Sequence, residues 1–163
     1  MKNLAVTLIS FITLFGIARA QDKLLIEPVN TVITNYLAVK NGLAAGDGKI
    51  AQAKAKELLN ALNAVPAQSL KSDESALMSK LQYDSRHISE MEVVAHQREH
   101  FASLSDNLYA LLKKLKVNTA VLYRQYCSMS KNYYLSDVQK DKDPYMGMDN
   151  CSKVKETLPV AKN

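Results

Sequence analysis

Apolar residues recur at three- and four-residue steps along most of the chain, a pattern typical of helices that bury one face. In the first stretch Val29, Val32 and Tyr36 share that face and Lys40 lies at its edge. Pro28 falls in the first turn, where its missing N–H is not needed. The full pattern predicts four helices, over about residues 28–45, 49–65, 72–88 and 92–116.

Turn-forming and capping residues separate the four stretches. Gly46-Asp47-Gly48 predicts the end of one helix and the start of the next, and Pro66 ends the second helix. Ser72 and the acids after it resemble a capped start, and Ser89–Glu92 resembles a break with recapping. We expect Ile50 on the buried face of the second helix. Four helices of about four turns or more, joined by short loops, predict an antiparallel four-helix bundle.

The periodicity changes after the fourth helix. Residues 119–127 are rich in β-branched and aromatic side chains, which favours a short strand, and residues 132–135 predict a second strand. The tail beyond Thr157 is short and polar, and we expect it to be frayed. The expected fold is mainly α, an antiparallel four-helix bundle with a small irregular or β lobe over about residues 118–157.

Residues 1–20 have the features of a secretory signal peptide. A positive n-region precedes the apolar run of residues 4–17, and Ala18-Arg19-Ala20 precedes a predicted cleavage point at Gln21. The apolar run is too short to span a membrane comfortably and has no stop-transfer flank. We expect an exported protein, periplasmic or secreted, that forms one domain over residues 21–163 and has no membrane attachment after cleavage.

Charge and motif content narrow the classes of function. The formal charge is +5, and cleavage removes Lys2 and Arg19 but no acid, which leaves +3. Because the lysines are spread among acids, this mild charge favours a solvated surface over a nucleic-acid partner. The sequence shows no recognisable catalytic triad, phosphate loop or motif of paired carboxylates, so we expect no enzymatic activity.

The residues that carry chemistry are concentrated near the C-terminus, as Cys127-x-Met129 followed by Met148-x-x-Cys151. Thiolates and thioethers are soft donors that select Cu(I), so the four residues form one candidate metal site. His87 would complete this site, or replace one ligand, if the lobe packs onto the third helix. The alternative is a structural disulfide between the two cysteines, which an exported chain favours.

Two further histidines, His96 and His100, lie four residues apart on the fourth predicted helix. This i,i+4 spacing can hold a metal ion, but no HExxH motif surrounds the pair. On a helical wheel the two side chains flank the apolar seam. We therefore interpret them as residues at the boundary of the core.

Four motifs in a fixed order resemble a known family: Gln97-Arg98-Glu99-x-Phe101-x-x-Leu104-Ser105, Tyr126-Cys127-Ser128-Met129, Tyr134-Leu135-Ser136 and Pro144-Tyr145-x-Gly147. The chain resembles, from about Val32 to Val154, a bacterial periplasmic domain family of unknown function. That family is also found fused to the membrane-fusion adaptors of copper and heavy-metal efflux systems. This chain departs from the family pattern at Ser128, Asp143 and Ser152, where proline, asparagine and glycine are usual.

The resemblance implies a non-catalytic, copper-linked role in the periplasm. The first hypothesis is a heavy-metal binding or efflux-accessory module that holds Cu(I) and has a periplasmic efflux adaptor or another envelope protein as its partner. The alternative is a disulfide-stapled helical interaction module of the cell envelope that holds no metal. Both hypotheses bring Cys127 and Cys151 together.

Overall fold

The computed structural model describes residues 13–161, with side chains from residue 23 onward. Residues 1–12 of the predicted signal peptide lie outside the described part, and the predicted cleavage point at Gln21 stays a prediction. A short 3₁₀ turn, Ala67–Ser69, follows the second helix. The helices are α1 Thr13–Ala45, α2 Gly48–Ala64, α3 Ser72–Glu90 and α4 Val94–Leu115. The structure therefore confirms a mainly α fold with four helices.

Three details of the helices differ from the sequence prediction. Pro28 lies inside α1 rather than in its first turn, because Leu25 on the preceding turn is already packed in the core. Lys40 is buried rather than at an edge, because its ammonium group forms an ion pair with Asp141 of the lobe. Ile50 is half exposed instead of buried, because α2 packs through its alanines and leucines.

The helix boundaries follow local chemistry. Gly46 takes a positive φ of 71°, and the Asp47 carboxylate accepts a hydrogen bond from the Ile50 N–H at 2.9 Å, which caps the start of α2. At the start of α3, the Glu74 carboxylate accepts a hydrogen bond from the Lys71 N–H at 2.7 Å. Successive helices are therefore joined by short connections and pack against each other in chain order.

α1 and α4 pack against each other in the core through aromatic side chains. The rings of Tyr36 and Phe101 stack with their centroids 5.2 Å apart, and both side chains are fully buried. Leucines of α2, α3 and α4 complete the same cluster. Among the described residues, no helix is both long enough and apolar enough to cross a membrane.

A three-stranded antiparallel sheet forms the C-terminal lobe. Its strands are β1 Leu122–Cys127, β2 Asn132–Ser136 and β3 Ser152–Leu158, in the order β2-β1-β3. The first two strands agree with the sequence prediction. The third strand was not predicted, and the expected frayed tail is wrong up to Ala161, whose N–H donates to the Asn118 carbonyl at 2.9 Å.

Buried polar contacts fix the lobe on the helices. The Tyr36 hydroxyl lies 2.8 Å from Ser105 Oγ and accepts a hydrogen bond from the Leu135 N–H of β2 at 3.0 Å. The Arg98 guanidinium donates to the carbonyls of Pro144 at 2.8 Å and Leu43 at 2.9 Å. The lobe is therefore held by α1 and α4 together, in a defined orientation.

Candidate metal centre

The three histidines of the chain come together at the junction of α3 and α4. His87 lies in the last turn of α3, and His96 and His100 lie in the first two turns of α4. One ring nitrogen of each imidazole lies within 4.8 Å of the others. We call His87, His96 and His100 the histidine cluster. Because both helices are needed to form it, the cluster is invisible to motif searches along the chain.

The rings of the histidine cluster contact one another directly. His87 and His100 stack in parallel with centroids 4.6 Å apart, and His96 meets His100 edge to face at 4.8 Å. Tyr83 packs on the outer side of His87, with a centroid distance of 4.4 Å. The cluster is a contiguous layer of imidazoles on the surface of the bundle.

A carboxylate lies next to the Nδ1 atom of every ring in the cluster. His100 Nδ1 is 3.1 Å from the carboxylate of Asp84, which is buried. The corresponding distances are 3.6 Å from His87 to Glu90 and 3.7 Å from His96 to Glu99. Only the His100–Asp84 distance is that of a hydrogen bond, and there the proton of a neutral imidazole belongs on Nδ1 and Nε2 keeps its lone pair. His96 Nε2 is buried and has no hydrogen-bond partner among the described residues.

Gln97 sets the relative position of the two helix ends. Its side-chain amide is fully buried and donates to the carbonyls of Gly48 at 2.8 Å and Met91 at 2.7 Å. The same nitrogen lies 3.3 Å from the carbonyl of Ile88. These contacts join α2, the end of α3 and the start of α4, so the backbone that carries the histidines is well supported.

Cys127 and Cys151 form a disulfide, with a Cα–Cα distance of 5.2 Å and a sequence separation of 24. Their predicted proximity is confirmed. Met129 and Met148 are 58% and 40% exposed. Because disulfide-bonded sulfurs are not thiolates, the predicted Cu(I) ligand set does not fit this oxidised state. It stays a prediction for the reduced protein, while His87 lies with the other two histidines.

Asp143 lies beside the disulfide, with a carboxylate oxygen within 4.8 Å of both sulfur atoms. Oδ1 accepts hydrogen bonds from the N–H groups of Tyr145 at 3.0 Å and Met146 at 2.7 Å. Oδ2 is buried without a hydrogen-bond partner. Burial of the carboxyl group raises the pKa of Asp143. From the sequence this residue was noticed as part of an Asp143-Pro144 turn signal and as a departure from the family pattern, not as a neighbour of the cysteines.

The fold and this centre define the class of protein: a helical bundle with a surface layer of histidines and a sheet lobe closed by a disulfide. A family model for proteins of unknown function, DUF3347, matches residues 32–120. This range is more than half of the chain, and the chain belongs to that family. The matched range contains the whole histidine cluster and ends before Cys127. No curated protein and no solved structure matches the chain.

Proposed function

We propose that this chain is an exported, non-catalytic metal-binding module of the cell envelope, and that the histidine cluster holds its ion. The proposal is carried by one observation: imidazoles from two helices bring three ring nitrogens within 4.8 Å of one another. Neutral imidazole is the commonest metal ligand in proteins. Three protein ligands also leave one position of a tetrahedral ion free for an external donor.

Binding of one ion requires the three rings to move. Bonds of about 2.0–2.1 Å in tetrahedral geometry require nitrogens about 3.3 Å apart, so the nitrogens must approach by about 1.5 Å at most. Because a metal lies in the plane of each imidazole that binds it, the parallel stack of His87 on His100 must also open by rotation of the His87 ring. The side chains of His87 and His96 are 33% and 34% exposed, which leaves them room to rotate. A purely structural cluster would pair its buried ring nitrogens. The unpaired His96 Nε2 therefore favours a ligand.

The wider role rests on the family resemblance. The resemblance implies a periplasmic copper-linked setting, and copper is therefore the expected metal. Within that setting, a module with an accessible ion site would bind metal reversibly and deliver it to an efflux adaptor or another envelope protein. The absence of a recognisable catalytic motif in the sequence supports a binding role over an enzymatic one.

Metal titration of the exported protein, purified without a histidine tag, tests the proposal. Equilibrium dialysis against Cu²⁺, Zn²⁺ and, with a reductant, Cu(I) should give one bound ion per chain. The triple variant His87→Ala, His96→Ala, His100→Ala should lose at least 100-fold in affinity and keep its helical circular dichroism. A matched control, Met129→Leu with Met148→Leu, should bind like the wild type. Equal affinity of wild type and triple variant would contradict the assignment of the ion to the cluster.

A second candidate function is an interaction module without metal. It is favoured by Met129, Met146 and Met148, which are exposed on a lobe that the disulfide and Arg98 hold in place. Flexible methionine side chains suit contact surfaces that adapt to a partner. Copurification of envelope proteins with the wild type, but not with a triple Met→Lys variant of this surface, would support it. Capture that is unchanged in the variant would argue against it.

A further inference from the structure

Each histidine of the cluster has a carboxylate on its Nδ1 side, and the one at His100 is within hydrogen-bond distance. Asp84 faces Nδ1 of His100, and two glutamates face the Nδ1 atoms of the other two rings. In metal sites, a carboxylate on one ring nitrogen fixes the orientation of the imidazole and makes the other nitrogen a stronger donor. The hydrogen bond to Asp84 leaves Nε2 as the available donor of His100, and the nearby glutamates favour the same use of Nε2 in His87 and His96.

The charge of the same surface also favours a cation. Asp84, Glu90 and Glu99 place three negative charges around three imidazoles that are neutral when they act as ligands. Arg98, which lies between two of the histidines in sequence, donates instead to two backbone carbonyls, one of them in the lobe. A divalent ion would therefore enter a surface that already carries compensating charge.

Building on the proposed function, we infer that the ion is divalent, Cu²⁺ or Zn²⁺, and that Nε2 of His87, His96 and His100 coordinates it. Imidazole donors suit Cu²⁺, Zn²⁺ and Ni²⁺, whereas selective Cu(I) sites rely on thiolate and thioether sulfur. Among divalent ions the Irving–Williams order places Cu²⁺ first. Asp84 acts as a positioning residue, because it is buried and its carboxylate lies 3.1 Å from His100 Nδ1, which fixes the orientation of the ring.

We expect the fourth coordination position on the exposed side of the cluster, away from the buried His96 Nε2. The His87 and His96 side chains are each about one third exposed, and Tyr83 on the rim is more than half exposed. No other side chain among the described residues brings a cysteine, histidine or carboxylate ligand atom into the same group. An external donor therefore has access to the ion, and the site exchanges its ion instead of burying it.

Electron paramagnetic resonance of the Cu²⁺-loaded, untagged chain tests this inference. The spectrum should show hyperfine coupling to three imidazole nitrogens, and added azide should shift it by occupying the fourth position. Asp84→Asn should weaken Cu²⁺ binding by 10- to 100-fold. Because Asp84 is buried, Glu99→Gln is tested beside it: that side chain is 77% exposed, and the substitution should weaken binding severalfold without changing the melting temperature.

The matched control is Glu57→Gln, which removes an exposed carboxylate that pairs with Lys54 on α2. It should leave Cu²⁺ affinity unchanged. If the chain binds no metal in any oxidation state, the proposed function itself fails. If it binds only Cu(I), or if Cu²⁺ couples to fewer than three nitrogens or is insensitive to azide, the metal-binding function stands and this inference is overturned. Equal affinity of Asp84→Asn, Glu99→Gln and the wild type would overturn the role of the carboxylates.

Discussion

Replacing Cys127 and Cys151 together by alanine removes the covalent closure of the lobe. The disulfide closes a loop of about 25 residues, from a sequence separation of 24. In the chain-entropy account, a loop of that length contributes about 3.5 kcal/mol to the free energy of unfolding at 25 °C. The loop contains β2 and the turn with Asp143, so its closure also limits how far β3 can move from β1.

Urea unfolding followed by circular dichroism measures this effect. With a urea dependence of about 2 kcal/mol per molar, a loss of about 3.5 kcal/mol lowers the midpoint by about 2 M. Wild-type protein whose disulfide has been reduced with a phosphine should have a urea midpoint close to that of the variant, because both lack the covalent link. A loss below about 1 kcal/mol in both proteins would refute the reasoning, because the lobe would then be held by its noncovalent contacts alone. Metal affinity should be the same in the variant, since the histidine cluster contains neither cysteine.

Two further predictions concern buried charges. Lys40→Met leaves the carboxylate of Asp141 without its ion-pair partner at a largely buried site, so it should lower the free energy of unfolding by about 3 kcal/mol. An unchanged urea midpoint would contradict the pairing. Asp143 holds its proton more tightly in the folded chain than in the unfolded one, so the wild type loses stability as pH rises above the ordinary aspartate pKa towards the raised value. Asp143→Asn should remove this loss, so its urea midpoint should rise relative to that of the wild type as pH increases above the ordinary aspartate pKa. Parallel pH profiles of the two proteins would contradict it.

The helices could be predicted from the sequence because their signals are local. Apolar spacing and capping residues such as Asp47 act within a few residues, and α2 to α4 begin and end close to the predicted positions. Pro28 misled the prediction, because proline at a first turn is common, whereas burial of Leu25 depends on packing against the rest of the bundle. The stabilisation from burying Leu25 outweighed the loss of the one backbone hydrogen bond that Pro28 cannot donate.

The lobe was only partly predictable. β1 and β2 carry tyrosines and leucines, but β3 is mostly charged or polar, with Val154 and Leu158 as its apolar side chains. Such a strand is defined by its pairing with β1, and no local property of Ser152–Leu158 indicates it. Lys40 was misjudged for a similar reason, since its acid partner is 101 residues away.

One part of the candidate site could be predicted from the sequence and another part could not. The proximity of Cys127 and Cys151 followed from chemistry alone, since two cysteines in a chain that is expected to be exported favour pairing. The histidine cluster did not follow, because it needs the antiparallel packing of α3 on α4. The i,i+4 spacing of His96 and His100 was the only sequence signal, and it is shared with many surface helices.

One measurement tests the central claim most directly: Cu²⁺ and Zn²⁺ titration of the untagged chain, with the triple histidine variant and the double cysteine variant side by side. The account predicts one divalent ion per wild-type chain, the same affinity in Cys127→Ala/Cys151→Ala, and a loss of at least 100-fold in His87→Ala/His96→Ala/His100→Ala. Binding that survives removal of the histidines and disappears with the cysteines would contradict it.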